Sequence, residues 1–160
     1  NTLVPEHGIP SPQGPDAQTA DPELDVVTMA VKVPETLAHL HYWSVQMTRQ
    51  ATKDEVLGAF RASSRIALIR IDEGLVALNA VKELMADRGR PHANLYEVAL
   101  WADMLRVQGD ELFYAYMVDN QAIVIPETID AIRALTRTVN DASESIARTN
   151  AALGIQPDLV

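Results

Sequence analysis

The stretch "HLHYWSVQMTRQATKDEVLGAFRASSRIALIRI", His39 to Ile71, changes its hydrophobic period twice, and those changes decide the fold class. In its first ten residues the odd positions His39, His41, Trp43, Val45 and Met47 fall on one face of an extended chain, with Leu40, Tyr42, Ser44 and Gln46 on the other. That alternation predicts a β-strand. Thr52 followed by Glu55 is a capping box, and Val56, Leu57 and Phe60 recur at helical spacing, so a helix is expected from about Lys53 to Ala62. "RIALIRI", Arg65 to Ile71, is apolar, β-branched and too short for a helix, which predicts a largely buried strand.

Working outward, "LDVVTMAVKVP" puts Val27, Met29, Val31 and Val33 on one side of a strand expected to have one face buried, ended by Pro34. Leu75, Leu78, Val81 and Met85 mark a second amphipathic helix, stopped by Gly89 and Pro91. "NLYEVALW" and "MLRVQGDELFYAYMV" predict three more strands, the last two joined by a turn at Gln108-Gly109-Asp110. "PETIDAIRALTRTV" is a helix with Pro126 in its first turn, and a last helix from about Asp141 to Leu153 carries a small-residue stripe with Ile146. Residues 1–24 have no period of their own and are expected to be irregular. The order lacks strict βαβα alternation. It predicts a single α+β domain over residues 1–160, a mostly antiparallel or mixed sheet with helices packed on one face.

Composition narrows the chemistry. Twenty-two acidic against thirteen basic side chains give a net charge of −9 with no basic cluster, which argues against nucleic-acid and anionic-membrane partners. There is no cysteine, hence no disulfide, thiolate metal site or thiol nucleophile in this chain. No apolar run reaches membrane-spanning length and no signal-peptide pattern is present, so a cytoplasmic setting is expected. The chain begins with Asn1 in a Pro/Gly-rich segment, as expected of a piece of something longer or of a processed start.

Three readings of the co-facial His39 and His41 stand side by side. They are about 6.6 Å apart along an ideal strand, and could be two metal ligands with His7, His92, Asp119 or Glu97 as a third, a catalytic base with a neighbour, or two hydrogen-bonded core histidines. Trp43 and Tyr42 could tune such a base by removing water. "QGPD", Gln13 to Asp16, and "DNQ", Asp119 to Gln121, are by themselves ordinary turn residues.

Taken together, "GPDAQT", "VVTMAVKVPETLAHLH", "GRPHANLYEVALW", "VIPETIDAIRALT" and "SIARTNAALGI" resemble, in order and spacing, the C-terminal half of archaeal-type (type II) glyceraldehyde-3-phosphate dehydrogenase. The resemblance implies a catalytic domain that works with an N-terminal Rossmann domain holding NAD or NADP, on glyceraldehyde 3-phosphate and inorganic phosphate, in a homotetramer. It implies a cysteine thioester mechanism whose cysteine lies outside this chain, so that this piece alone is inactive. By the same resemblance His39 matches the catalytic base and His41 a supporting position. Gln13 and Gly14 match a substrate-lining His-Gly, with Gln in place of His, and Asn120 falls where a Gln contacts the nicotinamide carboxamide. Asp119, Gln121 and Ala122 replace the family's His, Glu and Ser. The helix at residues 140–153 would pack on the nucleotide domain and be loosely held without it. These departures leave open a non-catalytic sugar-phosphate-binding or assembly module of the same descent. No metal is implied.

Overall fold

The structure is a computed structural model and describes residues 2–35 and 37–159. The chain forms two compact units, Asn1–Thr36 and Leu37–Val160.

In the first unit β1 (Val4–Pro5) pairs antiparallel with β2 (Val31–Lys32), and an eight-residue helix, α1 (Gln13–Ala20), lies between them. The helix corrects the expectation of an irregular 1–24. It has no apolar stripe to betray it, and Pro15 sits in the first turn, where a backbone N–H has no helical partner in any case. What holds it is polar: the Ser11 N–H donates to the Thr28 carbonyl at 2.8 Å, and the Gly14 N–H donates to the Thr28 hydroxyl at 3.0 Å. The strand expected over Val27 to Val33 also differs. Only Val31 and Lys32 are paired, and Val27, Met29, Val31 and Val33 are all exposed, 46–76%. The alternation is present, but among the described residues of this unit none buries its apolar side.

The second unit carries β3 (Ala38–Gln46), α2 (Lys53–Arg61), β4 (Ile66–Ile69), α3 (Leu78–Asp87), β5 (Val98–Trp101), β6 (Arg106–Gln108), β7 (Glu111–Asp119), α4 (Ile125–Thr136) and α5 (Ala142–Leu153). The sheet runs β3-β7-β5-β4, with β6 also on β7, and is mixed because β4 and β5 are parallel while the other pairs are antiparallel. The α+β class stands. The capping box is formed: the Glu55 N–H donates to the Thr52 hydroxyl at 3.2 Å, and the Thr52 N–H to the Glu55 carboxylate at 2.7 Å.

Helices cover both faces of this sheet, where the sequence suggested one. Val81 and Met85 of α3 are buried against Ala67, Ile69, Ala99, Trp101, Ala115 and Met117. Val56, Leu57 and Phe60 of α2 pack against the alternate positions Ile66, Leu68, Leu100 and Leu112. Strands apolar at both parities have two faces to bury, and one helix layer buries only one. Helix α5 differs from expectation as well. Its buried stripe is Ser145 and Thr149, while Ile146 is partly exposed. Asp130 of α4 accepts from the Ser145 and Thr149 hydroxyls at 2.6 and 2.7 Å, and Arg133 donates to the Ser145 carbonyl at 3.1 Å. Arg65, leading into β4, pairs with Asp130 and donates to Asn150 at 3.0 Å. The last helix is therefore linked to α4 and to Arg65 by hydrogen bonds.

Candidate active site

The odd-numbered face of β3 forms as the alternation predicts. His41, Trp43, Val45 and Met47 are half-buried, with Tyr42, Ser44 and Gln46 exposed opposite them. The register places His41 across from Tyr116 and Trp43 across from Tyr114 on β7, so the aromatic side chains stack in a row. His41 lies 4.8 Å from the Tyr116 ring at an interplanar angle of 14°. Trp43 stacks between Tyr114 and Tyr116, 6.4 Å from each. Burial, with Tyr116 beside it, pushes the Tyr114 phenol up to about 12, and burial raises Tyr116 too despite the opposing Trp43 indole N–H. Both phenols are neutral near pH 7.

The histidines at the head of this row are unequal. Their centroids are 6.0 Å apart with perpendicular planes. Burial, reinforced by the neighbouring His39, lowers the pKa of His41, which keeps it neutral at pH 7. His39, two pairs nearer the strand's start and opposite Val118, is exposed.

After Asp119, the last residue of β7 and the register partner of Ala38, the chain turns. The Asn120 N–H donates to the Leu37 carbonyl at 3.4 Å, so Asn120, half-buried, is tied to the residue two before His39. His39, His41 and Asn120 thus gather at one end of the β3–β7 pair. Gln13 and Gly14 belong to the first unit, Gln13 exposed at the start of α1 and Gly14 buried. A Cβ at Gly14 would stand 2.8 Å from the Thr28 hydroxyl, so close packing alone explains glycine there.

The carboxylates offered as further metal ligands are engaged elsewhere. Glu97, wholly buried, pairs with Arg90, whose Nη2 lies 2.6 Å from it, and Asp119 pairs with Lys82. Among the described residues no three His, Asp or Glu side chains form a cluster able to hold a metal ion, and no helix is long and apolar enough to cross a membrane.

The chain matches no protein-family model. Over nearly its whole length it does align with curated proteins. The glyceraldehyde-3-phosphate dehydrogenase of Methanopyrus kandleri is 40% identical over 147 residues, 92% of this chain and 42% of that protein. Those of Methanobrevibacter smithii and Haloarcula marismortui are each 38% identical, over 97% and 100% of this chain and 46% and 45% of theirs. This chain is a homologue of the archaeal glyceraldehyde-3-phosphate dehydrogenases. It spans just under half the length of these relatives, and its mixed-sheet α+β fold is consistent with the C-terminal domain of glyceraldehyde-3-phosphate dehydrogenase.

Two features of this domain escape a reading of the sequence. The stack of His41 on Tyr116 joins residues 75 positions apart, and the only advance sign is two strands each bearing aromatic side chains at alternate positions. The Lys82–Asp119 pair links α3 to the turn after β7. Its sign is weaker still, one lysine beside the apolar stripe of an amphipathic helix.

Proposed function

We propose that this chain is the catalytic domain of a phosphorylating glyceraldehyde-3-phosphate dehydrogenase. It would oxidise glyceraldehyde 3-phosphate in the presence of inorganic phosphate to 1,3-bisphosphoglycerate, with NAD or NADP bound mainly by a Rossmann-type domain elsewhere in the polypeptide. The reading is supported by the homology along nearly the whole chain. The observation that carries it to a mechanism is the inequality of the two histidines, one exposed and one stacked and held neutral.

In this proposal His39 accepts the hydroxyl proton from the aldehyde adduct, the adduct being formed on a cysteine that this chain does not contain. His41, stacked on Tyr116, supports the His39 strand position and stays in its neutral form. The nicotinamide supplies the hydride acceptor when bound. Asn120 would donate from its side-chain amide to the nicotinamide carboxamide, from a backbone position fixed to Leu37. Gln13 would donate to the substrate, with Gly14 shaping the backbone beside it. The enzyme would act in the cytoplasm as a homotetramer.

The test is aldehyde-dependent formation of NADH or NADPH by the complete polypeptide. Activity that requires phosphate supports the dehydrogenase, and the isolated 160-residue chain is expected to show none. A second reading, a non-catalytic sugar-phosphate-binding or assembly module, is favoured by the packing role of Gly14 against Thr28 and by the engagement of Asp119 with Lys82. Binding of glyceraldehyde 3-phosphate without any reduction of NAD or NADP by the complete polypeptide would establish that reading instead.

A further inference from the structure

Asp119 is nearly inaccessible, 2% exposed, and carries more hydrogen bonds than a turn requires. Its Oδ1 accepts from the backbone N–H groups of Gln121 at 2.9 Å and Ala122 at 3.0 Å, closing the turn that bears Asn120. Its Oδ2 accepts from the Leu95 N–H at 3.3 Å and from the Lys82 ammonium of α3. The Lys82 side chain is itself mostly buried, 12% exposed. Three segments, α3, the approach to β5 and the turn after β7, therefore converge on one carboxylate directly beside Asn120. A surface turn of this kind closes with the two Oδ1 bonds alone. The extra cation and the extra N–H fix the turn against the sheet, and the Asn120 N–H then fixes it to Leu37, two residues from His39.

We infer that Lys82 and Asp119 are positioning residues for the nicotinamide cofactor: together they hold Asn120 at a set distance from His39. The inference rests on the proposed dehydrogenase reading and on the assignment of Asn120 to the cofactor. A buried ion pair is an expensive way to stabilise a fold, because removing two charges from water offsets most of their attraction. Holding one loop in one geometry is a use for which that cost is reasonable, and it is the use this arrangement fits.

The test uses steady-state kinetics of the complete polypeptide. Asp119→Ala should raise the KM for the nicotinamide cofactor about tenfold while leaving the KM for glyceraldehyde 3-phosphate and kcat within about threefold, since a displaced contact group weakens the ligand it touches. Asp119→Asn keeps a carbonyl oxygen for the Gln121 and Ala122 N–H groups but loses the charge that pairs with Lys82, and should restore the cofactor KM only in part. An unchanged cofactor KM in Asp119→Ala overturns the inference, as does activity that falls only in proportion to the folded fraction in both variants. Should Asp119→Ala fail to fold, Lys82→Met leaves the three backbone donors in place and is expected to raise the cofactor KM about threefold or more; no change there overturns the inference equally. Asn120→Ala separates the two levels. If it leaves the cofactor KM unchanged, the assignment of Asn120 fails and the inference falls with it; if it raises the KM while Asp119→Ala does not, only the positioning role fails.

Discussion

The imidazole of His41 lies 4.8 Å from the Tyr116 ring and nearly parallel to it, whereas His39, 6.0 Å away from His41 and perpendicular to it, is exposed. The stack contributes stability through ring contact and is indifferent to the imidazole nitrogens. His41→Ala should therefore destabilise the second unit by about 1 kcal/mol, in the range measured for aromatic pairs, and His41→Phe should be close to neutral. Urea denaturation of both variants checks this.

A pH dependence follows from the same contact. The folded-state pKa of His41 lies below its ordinary value of 6.5 because burial disfavours the imidazolium, with His39 adding to the effect. The unfolded chain thus binds the proton more readily, and stability falls as pH drops below about 6.5 toward the lower folded-state pKa. Above pH 6.5 the group contributes no dependence. His41→Phe should flatten that part of the stability-against-pH curve.

Asp130 acts at lower pH. Burial opposes its ionisation, but hydrogen bonds from Ser145 and Thr149, followed by Arg65, outweigh burial and bring its pKa from 3.8 down to about 2. Its contribution, on the order of 2 kcal/mol, is complete above pH 3.8 and lost as pH falls from there to about 2. Asp130→Asn should remove this acid sensitivity and release α5, read as faster amide exchange over residues 142–153.

In the first unit, Gly14→Ala brings a Cβ to 2.8 Å from the Thr28 hydroxyl. Overpacking of this kind costs about 1–3 kcal/mol, and amide exchange over residues 11–28 should accelerate. Thr28→Ala in the same chain relieves the clash but also removes the hydroxyl that accepts from the Gly14 N–H and bonds Ser11, so it should restore protection only in part. If the double variant also restores the KM for glyceraldehyde 3-phosphate in the complete polypeptide, Gly14 matters through packing rather than by lining the substrate.

Elements held together by local chemistry could be read directly. The Thr52–Glu55 capping box and the period-two face of β3 each lie within ten residues of chain, and both form. Coverage could not be read in the same way. Val27 to Val33 alternate as a half-buried strand does, yet the pattern states only which side would be covered. The apolar run of β4 offered a hint of two covered faces, since Ile66 and Leu68 point opposite to Ala67 and Ile69. Helix α5 was misjudged for a different reason: its buried stripe, Ser145 and Thr149, is polar, and hydrogen bonds to Asp130 replace the apolar contacts that periodicity detects. At the site, His39 and His41 were visible as co-facial residues, but their difference arises from Tyr116, brought alongside only by the β3–β7 register.

The role of His39 is tested most directly by single-turnover hydride transfer in the complete polypeptide, comparing His39→Asn with His41→Phe. If His39 is the proton acceptor, His39→Asn slows NADH or NADPH formation by about 10²- to 10⁴-fold, while His41→Phe stays within about tenfold of the unsubstituted enzyme. A His39→Asn enzyme that transfers hydride at the unsubstituted rate would contradict it.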